Sequence, residues 1–209
     1  MASTDARPPR ARRLTQAERS ANTREALLDA TIDSLIELGF QASTTAEISE
    51  RAGLSRGAHL HHFQTRGALI GAAVDHLLNR SASELAESVE GLPAGDRRPK
   101  AALEMLWRQF NGPLFAAVLE LSVQARTDPE LRERLEDVER VVHREAMPWL
   151  RRAFGAEPDS TEKDDLIVLV TSTIRGLAML PILEPHQRVE KAWSFCRGQL
   201  LTLLRDAPA

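Results

Sequence analysis

STTAEISERAGLSRGAHLHHFQTRGAL, residues 43–69, decides the fold. It reads as two short helices, a tight glycine turn between them, and the start of a third helix. Thr44 and Glu47 have capping-box spacing: the hydroxyl accepts a free backbone N–H, and the carboxylate reaches back to the Thr44 amide. Gly53 stands where a left-handed C-cap is needed, with Leu54 folding back on Ile48 to close it. Ser55 then caps a new helix. Two helices joined by a short glycine-containing turn form a helix-turn-helix, and in nucleic-acid-binding versions the second helix enters the major groove.

Outward from this segment, long runs with apolar residues at i, i+3, i+4 and i+7 dominate, and strand-type alternation is nearly absent. The 209-residue chain is 43% hydrophobic and 27% charged, so the pattern predicts an all-α globular protein. Upstream, a helix is predicted from about Ala17 to Leu38, stopping at Gly39 with Phe40 packed on Leu35. Downstream, a long helix runs from Thr65 to about Val89. Gly91 to Asp96 breaks the pattern. Helices then follow near Pro99–Phe110 and Leu114–Arg126. Another starts at the Asp128 N-cap with Pro129 in its first turn and ends near Gly155, with a possible kink at Pro148. The last two span about Ser160–Leu183 and Pro185–Arg205. That makes about nine helices. They divide into a basic, disordered arm (1–14), a three-helix head (15–64) and a helical body (65–209).

Charge is unevenly spread. The net charge is −3, yet residues 1–80 hold ten Arg against nine acidic residues, with four of the six His. A mildly basic head on an acidic body fits a DNA-reading module on a domain that does not bind DNA. Arg7, Arg10, Arg12 and Arg13 make the arm either a solubilising tail or a DNA-contacting extension. The one cysteine, Cys196, sits in the apolar seam of the last helix, which leaves no disulfide framework and no Cys-based zinc site. His59 and His62 share a helical face but supply only two metal ligands, so no metal or cofactor is expected. No HExxH, phosphate loop or nucleophile elbow is present, and no catalytic residue is assigned. No uninterrupted apolar run reaches membrane-span length, and the basic N-terminus lacks a signal-peptide core. A cytoplasmic protein is expected.

The pattern TTAEISERAGLSRGAxxxHF, followed by TRxAL, resembles the TetR family of bacterial transcriptional repressors over about Arg19 to Leu69. The resemblance implies a homodimer that binds double-stranded DNA and a small-molecule effector, expected to be apolar. Thr44 and Thr45 match phosphate-contacting positions. Ser55, Arg56 and Gly57 open the recognition helix, with Arg56 set for guanine or phosphate and Gly57 allowing close backbone approach. Leu60, His61 and His62 fall where family members place Tyr-x-His or Tyr-x-Tyr, with His62 read as a phosphate donor. Thr65 and Arg66 match a Ser/Thr-Lys pair that holds phosphate. Two departures stand out. Leu60 replaces the usual tyrosine, and His59 replaces an apolar residue, so it is either turned outward to DNA or buried and bonded.

For the effector, the resemblance points to the middle helices and the next-to-last one: Trp107, Phe110, Phe115, Met147, Arg175 and Met179. Aromatic and Met residues at such spacing are also ordinary core. Arg175, inside a largely apolar helix, requires a partner: an acid across the dimer or an anionic ligand, the former favoured. The leading reading is a ligand-responsive repressor on a near-palindromic operator. The alternative is an all-α enzyme or partner-binding protein that keeps an unused head.

Overall fold

The computed structural model describes residues 15–156 and 160–206, except for the side chains of Arg56 and Leu78; the 1–14 arm lies outside the described residues. The described residues form nine α-helices and two 3-10 turns, without a strand. The helices are α1 (Gln16–Ala42), α2 (Thr45–Arg51), α3 (Arg56–His62), α4 (Arg66–Glu90) and α5 (Arg98–Phe110). They continue with α6 (Pro113–Ala125), α7 (Pro129–Phe154), α8 (Thr161–Leu177) and α9 (His186–Asp206).

Helix starts follow local chemistry. Thr15 and Glu18 form a complete capping box at the head of α1, which starts at Gln16, one residue before the expected Ala17. Ser55, Thr65, Asp128 and Ser160 each accept a backbone N–H three residues on. At Gly53 (φ +67°) the Leu54 N–H reaches the Ser49 carbonyl at 2.9 Å and the Gly53 N–H reaches Glu50 at 3.0 Å. That is a Schellman stop, open to glycine because a Cβ disfavours positive φ.

Two helix ends fall where the sequence placed them and one does not. Gly39 (φ +75°, ψ 174°) breaks the helical geometry of α1, and a short helical turn follows to Ala42. α7 contains Pro148 and ends at a left-handed stop at Gly155. α8 stops at Leu177, not Leu183, and a 3-10 turn spans Leu180–Ile182. Pro181 is the cause: it has no N–H to donate to the Leu177 carbonyl four residues back, and its ring crowds that carbonyl.

Two hydrophobic clusters divide the molecule. One joins the head (Leu27, Leu35, Ile48, Phe63) to the first half of α4 (Leu69, Ile70, Leu77), to Leu121 of α6 and to Leu131 of α7. The other fills the body with Leu85, Leu106, Trp107, Leu150, Ile174 and Trp193. α4 therefore spans both, one half in each cluster. Apolar side chains of this size contribute about 1.5–3 kcal/mol each when fully buried, so both ends of α4 are firmly seated.

Candidate nucleic-acid interface

The α3 helix presents its residues unevenly. Gly57, Leu60 and His61 are exposed, at i, i+3 and i+4, and so lie on one face. Leu60 is 60% exposed, a large apolar side chain left mostly open. The opposite face is anchored by Phe63, just past the helix end and 6% exposed. The side chain of Arg56, at the helix start, lies outside the described residues.

Hydroxyls flank this face. Those of Thr44, Ser55 and Thr65 each accept one N–H, from Glu47 (3.2 Å), Ala58 (3.3 Å) and Ala68 (3.0 Å). A hydroxyl that accepts in this way keeps its own O–H for a phosphate oxygen. All three residues are exposed, whereas Thr45 is half-buried and its carbonyl accepts the Ser49 hydroxyl at 2.6 Å.

The Thr44–Glu47 box is only half made. Glu47 does not return to the Thr44 amide; its carboxylate accepts from the Ser34 hydroxyl of α1 and from Arg51 Nε at 2.8 Å. Burial alone would raise the Glu47 pKa, but these donors hold it below its ordinary value. Arg51 also reaches Glu37 at 2.8 Å. The carboxylate thus binds α2 to α1 instead of closing its own helix.

One expected DNA contact is corrected, and a second is partly engaged within the head. His59 is 3% exposed, in the head core 6.5 Å from the Phe63 ring, and its Nδ1 has no hydrogen-bond partner. It is buried, as one reading held, but that nitrogen is not bonded. Burial, with His62 nearby, lowers its pKa, so the imidazole is neutral. Arg66 is likewise turned inward. Its Nε donates to the Ser43 carbonyl at 3.0 Å, a second nitrogen donates to the Phe40 carbonyl, and the guanidinium lies 4.3 Å from the Phe40 ring centroid. Two of the guanidinium's N–H groups are thus spent inside the head, and only the others remain for phosphate.

Sequence reasoning missed Arg24. From α1 its guanidinium lies 5.5 Å from the Phe63 ring, beside α3, and it is exposed. Burial lowers the pKa of half-buried His62, and His61 and Arg24 add to the effect. Only tertiary packing brings Arg24 there, so nothing local in the sequence marks it.

The six residues expected around an effector are dispersed. Trp107 lies face to face with Trp193, ring centroids 4.6 Å apart and planes 7° from parallel. Phe110 meets Phe115 edge-on at 5.3 Å. Met147 is in the body core, and Met179 is exposed beside the 3-10 turn. Arg175 donates to Glu139 of α7 in the same chain at 3.0 Å, at the surface. Arg175 thus has an acidic partner within its own chain, which neither expectation named. A cleft of about 550 Å³ lies elsewhere, between α1, α4, α5 and the start of α6, and none of the six lines it. No group of three His, Cys, Asp or Glu suited to a metal occurs among the described residues.

A three-helix head with an outward-facing second helix of a helix-turn-helix, set on an all-α body, defines a DNA-binding transcriptional regulator. Residues 27–73 match the family described as bacterial regulatory proteins, tetR family. An uncharacterized HTH-type transcriptional regulator of Mycobacterium tuberculosis is 34% identical over 92% of this chain and 97% of its own length. The HTH-type transcriptional regulator CymR of Pseudomonas putida is 30% identical over 93% and 95%. A regulator structure from Saccharomonospora viridis, solved in complex with choline, superposes with a TM-score of 0.67 at 13% identity, covering 89% of this chain and 97% of that one. The chain belongs to the TetR family of bacterial transcriptional regulators.

Proposed function

We propose that the chain is a homodimeric repressor that holds a near-palindromic operator and releases it when a small molecule binds. The observation that carries this reading is the α3 face of Gly57, Leu60 and His61, left open while His59 is buried and Ala58 and His62 are half-buried. Ser55, Arg56, Thr44 and Thr65 would supply base or phosphate contacts around it. In this reading residues 15–64 are the DNA-binding head and 65–209 the ligand-binding and dimerising body, at work in the cytoplasm where DNA is.

The dimer reading rests on α8 and α9. Val168, Leu169, Phe195 and Leu203 are exposed large apolar side chains, Phe195 at 68%. Thr161–Ile182 is also long and apolar enough to cross a membrane by length and composition, although polar residues interrupt every run within it. A second copy covering this surface accounts for its character, and two helices from each subunit would form a four-helix interface. Such a dimer presents two α3 helices about 34 Å apart, one turn of the duplex.

Release requires the effector to prefer the state in which the heads are misplaced. A nearly complete switch takes roughly 5 kcal/mol of differential affinity. α4, seated in both clusters, is the element that would carry the change. The test is a mobility-shift titration against the DNA upstream of the chain's own gene at 50 and 200 mM salt. Tight, sequence-specific binding that weakens steeply with salt supports the reading. Indifference to sequence at both salts overturns it.

A further inference from the structure

The cleft between the head and the body is built from both clusters. Ile32, Ile36 and Leu114 belong to the head cluster and Met105 to the body cluster, and together they form its apolar floor. Its volume, about 550 Å³, lies in the range of small-molecule sites. Five charged residues line it. Glu37 is engaged by Arg51 at 2.8 Å, and Arg80 pairs with Glu84 at 3.0 Å. The other two have no hydrogen bond or ion pair: Asp33 on α1 of the head and Arg108 on α5 of the body. One uncommitted carboxylate and one uncommitted guanidinium therefore stand on different bodies, above a shared apolar floor.

We propose that this cleft binds an apolar zwitterion, an amino acid with a large apolar side chain being the simplest case, with its ammonium toward Asp33 and its carboxylate toward Arg108. A singly charged ligand of the same shape would satisfy one wall only. The proposal rests on the repressor reading for its consequence: a ligand that touches head and body binds best at one head orientation, and so couples to DNA. The seam of the two clusters is where such a ligand has the most leverage on α4.

The test is isothermal titration of the full-length chain with three probes sharing one skeleton: L-phenylalanine, phenethylamine and 3-phenylpropionate. Phenylalanine is expected to bind tightest, by about threefold to fivefold over either singly charged probe, the size set by exposed charge pairs. Asp33→Asn should erase its advantage over 3-phenylpropionate, and Arg108→Gln its advantage over phenethylamine. Both side chains are exposed and unpaired, so neither change threatens folding. Ser88→Trp, on exposed α4 surface lining the cleft, should abolish binding with unchanged circular dichroism. Equal affinity for the three probes, no binding of any, or tightest binding of a singly charged probe overturns the proposal. DNA binding is measured separately. A chain that binds its operator but not phenylalanine overturns the cleft site. One that binds phenylalanine with these variant effects but no operator overturns the repressor reading alone.

Discussion

The guanidinium of Arg66 donates to the backbone carbonyl of Ser43 across 3.0 Å, joining the first residue of α4 to the segment between α1 and α2. With the Phe40 carbonyl and ring as further partners, Arg66 holds the base of the head together. Hydrogen bonds from a charged donor contribute more than neutral ones, and orphaned carbonyls cost more still. Arg66→Ala should therefore destabilise the chain by about 2 kcal/mol, read as the midpoint shift in urea unfolding. Lysine, a point charge, reaches one carbonyl at best and should recover less than half the loss. An unchanged midpoint with weakened DNA binding would return Arg66 to the DNA.

His59 gives the head a pH dependence. Its pKa is lowered from the ordinary 6.5 by burial, so the unfolded chain takes up a proton before the folded one does. Stability is then full above about pH 6.5 and falls as pH drops below it, because the unfolded state binds more protons there. His62 is shifted the same way and adds to the slope. Glu47 and Asp164, both held below their ordinary values, lose stability only at more acid pH and so leave the window near pH 6 to the histidines. His59→Leu should flatten the pH 5–7 slope of the melting temperature. It should raise stability at pH 7 by up to about 1 kcal/mol, since an unpartnered buried nitrogen is removed. A slope identical to that of the original chain would contradict the assignment.

Two glycines should respond oppositely to alanine. Gly53 has open space around a would-be Cβ but sits at φ +67°, so Gly53→Ala strains the turn by about 1–2 kcal/mol. Gly71, inside α4, would place a Cβ against the Arg134 guanidinium, the far end of a flexible side chain that can swing away. The helix gains about 1 kcal/mol from alanine there. Gly71→Ala should thus fall within about 1 kcal/mol of the original in chemical denaturation. A loss equal to that of Gly53→Ala would show that Arg134 is fixed against α4.

Leu169→Arg and Phe195→Glu place charges on the exposed apolar faces of α8 and α9. Each should shift the sedimentation profile from dimer to monomer while the far-ultraviolet circular dichroism is retained. Operator affinity should fall with it, since one head alone makes half the contacts. Dimers that persist through both substitutions would place the interface elsewhere.

The sequence was informative wherever the determinants are local. Ser55 and Asp128 cap the helices they were expected to cap, and Gly53 makes its left-handed turn, because each acts within a few residues of itself. Pro181 was equally local, but the apolar run around it read as unbroken helix. Long-range partners decided the rest. Glu47 has capping spacing, yet Ser34, thirteen positions away, claims its carboxylate. Arg66 and His59 carry polar groups suited to DNA, and packing turns both inward. Trp107 is covered by Trp193, and the cleft gathers four helices that no linear pattern relates.

The central claim is that the Gly57, Leu60 and His61 face of α3 enters the major groove in pairs. Hydroxyl-radical footprinting on the upstream DNA, with the original chain and with Leu60→Glu, tests it most directly. The account predicts two protected patches centred about 10 base pairs apart, lost in Leu60→Glu while helicity and dimerisation are unchanged. A footprint of the same strength and spacing with Leu60→Glu, or no footprint with either chain, would contradict it.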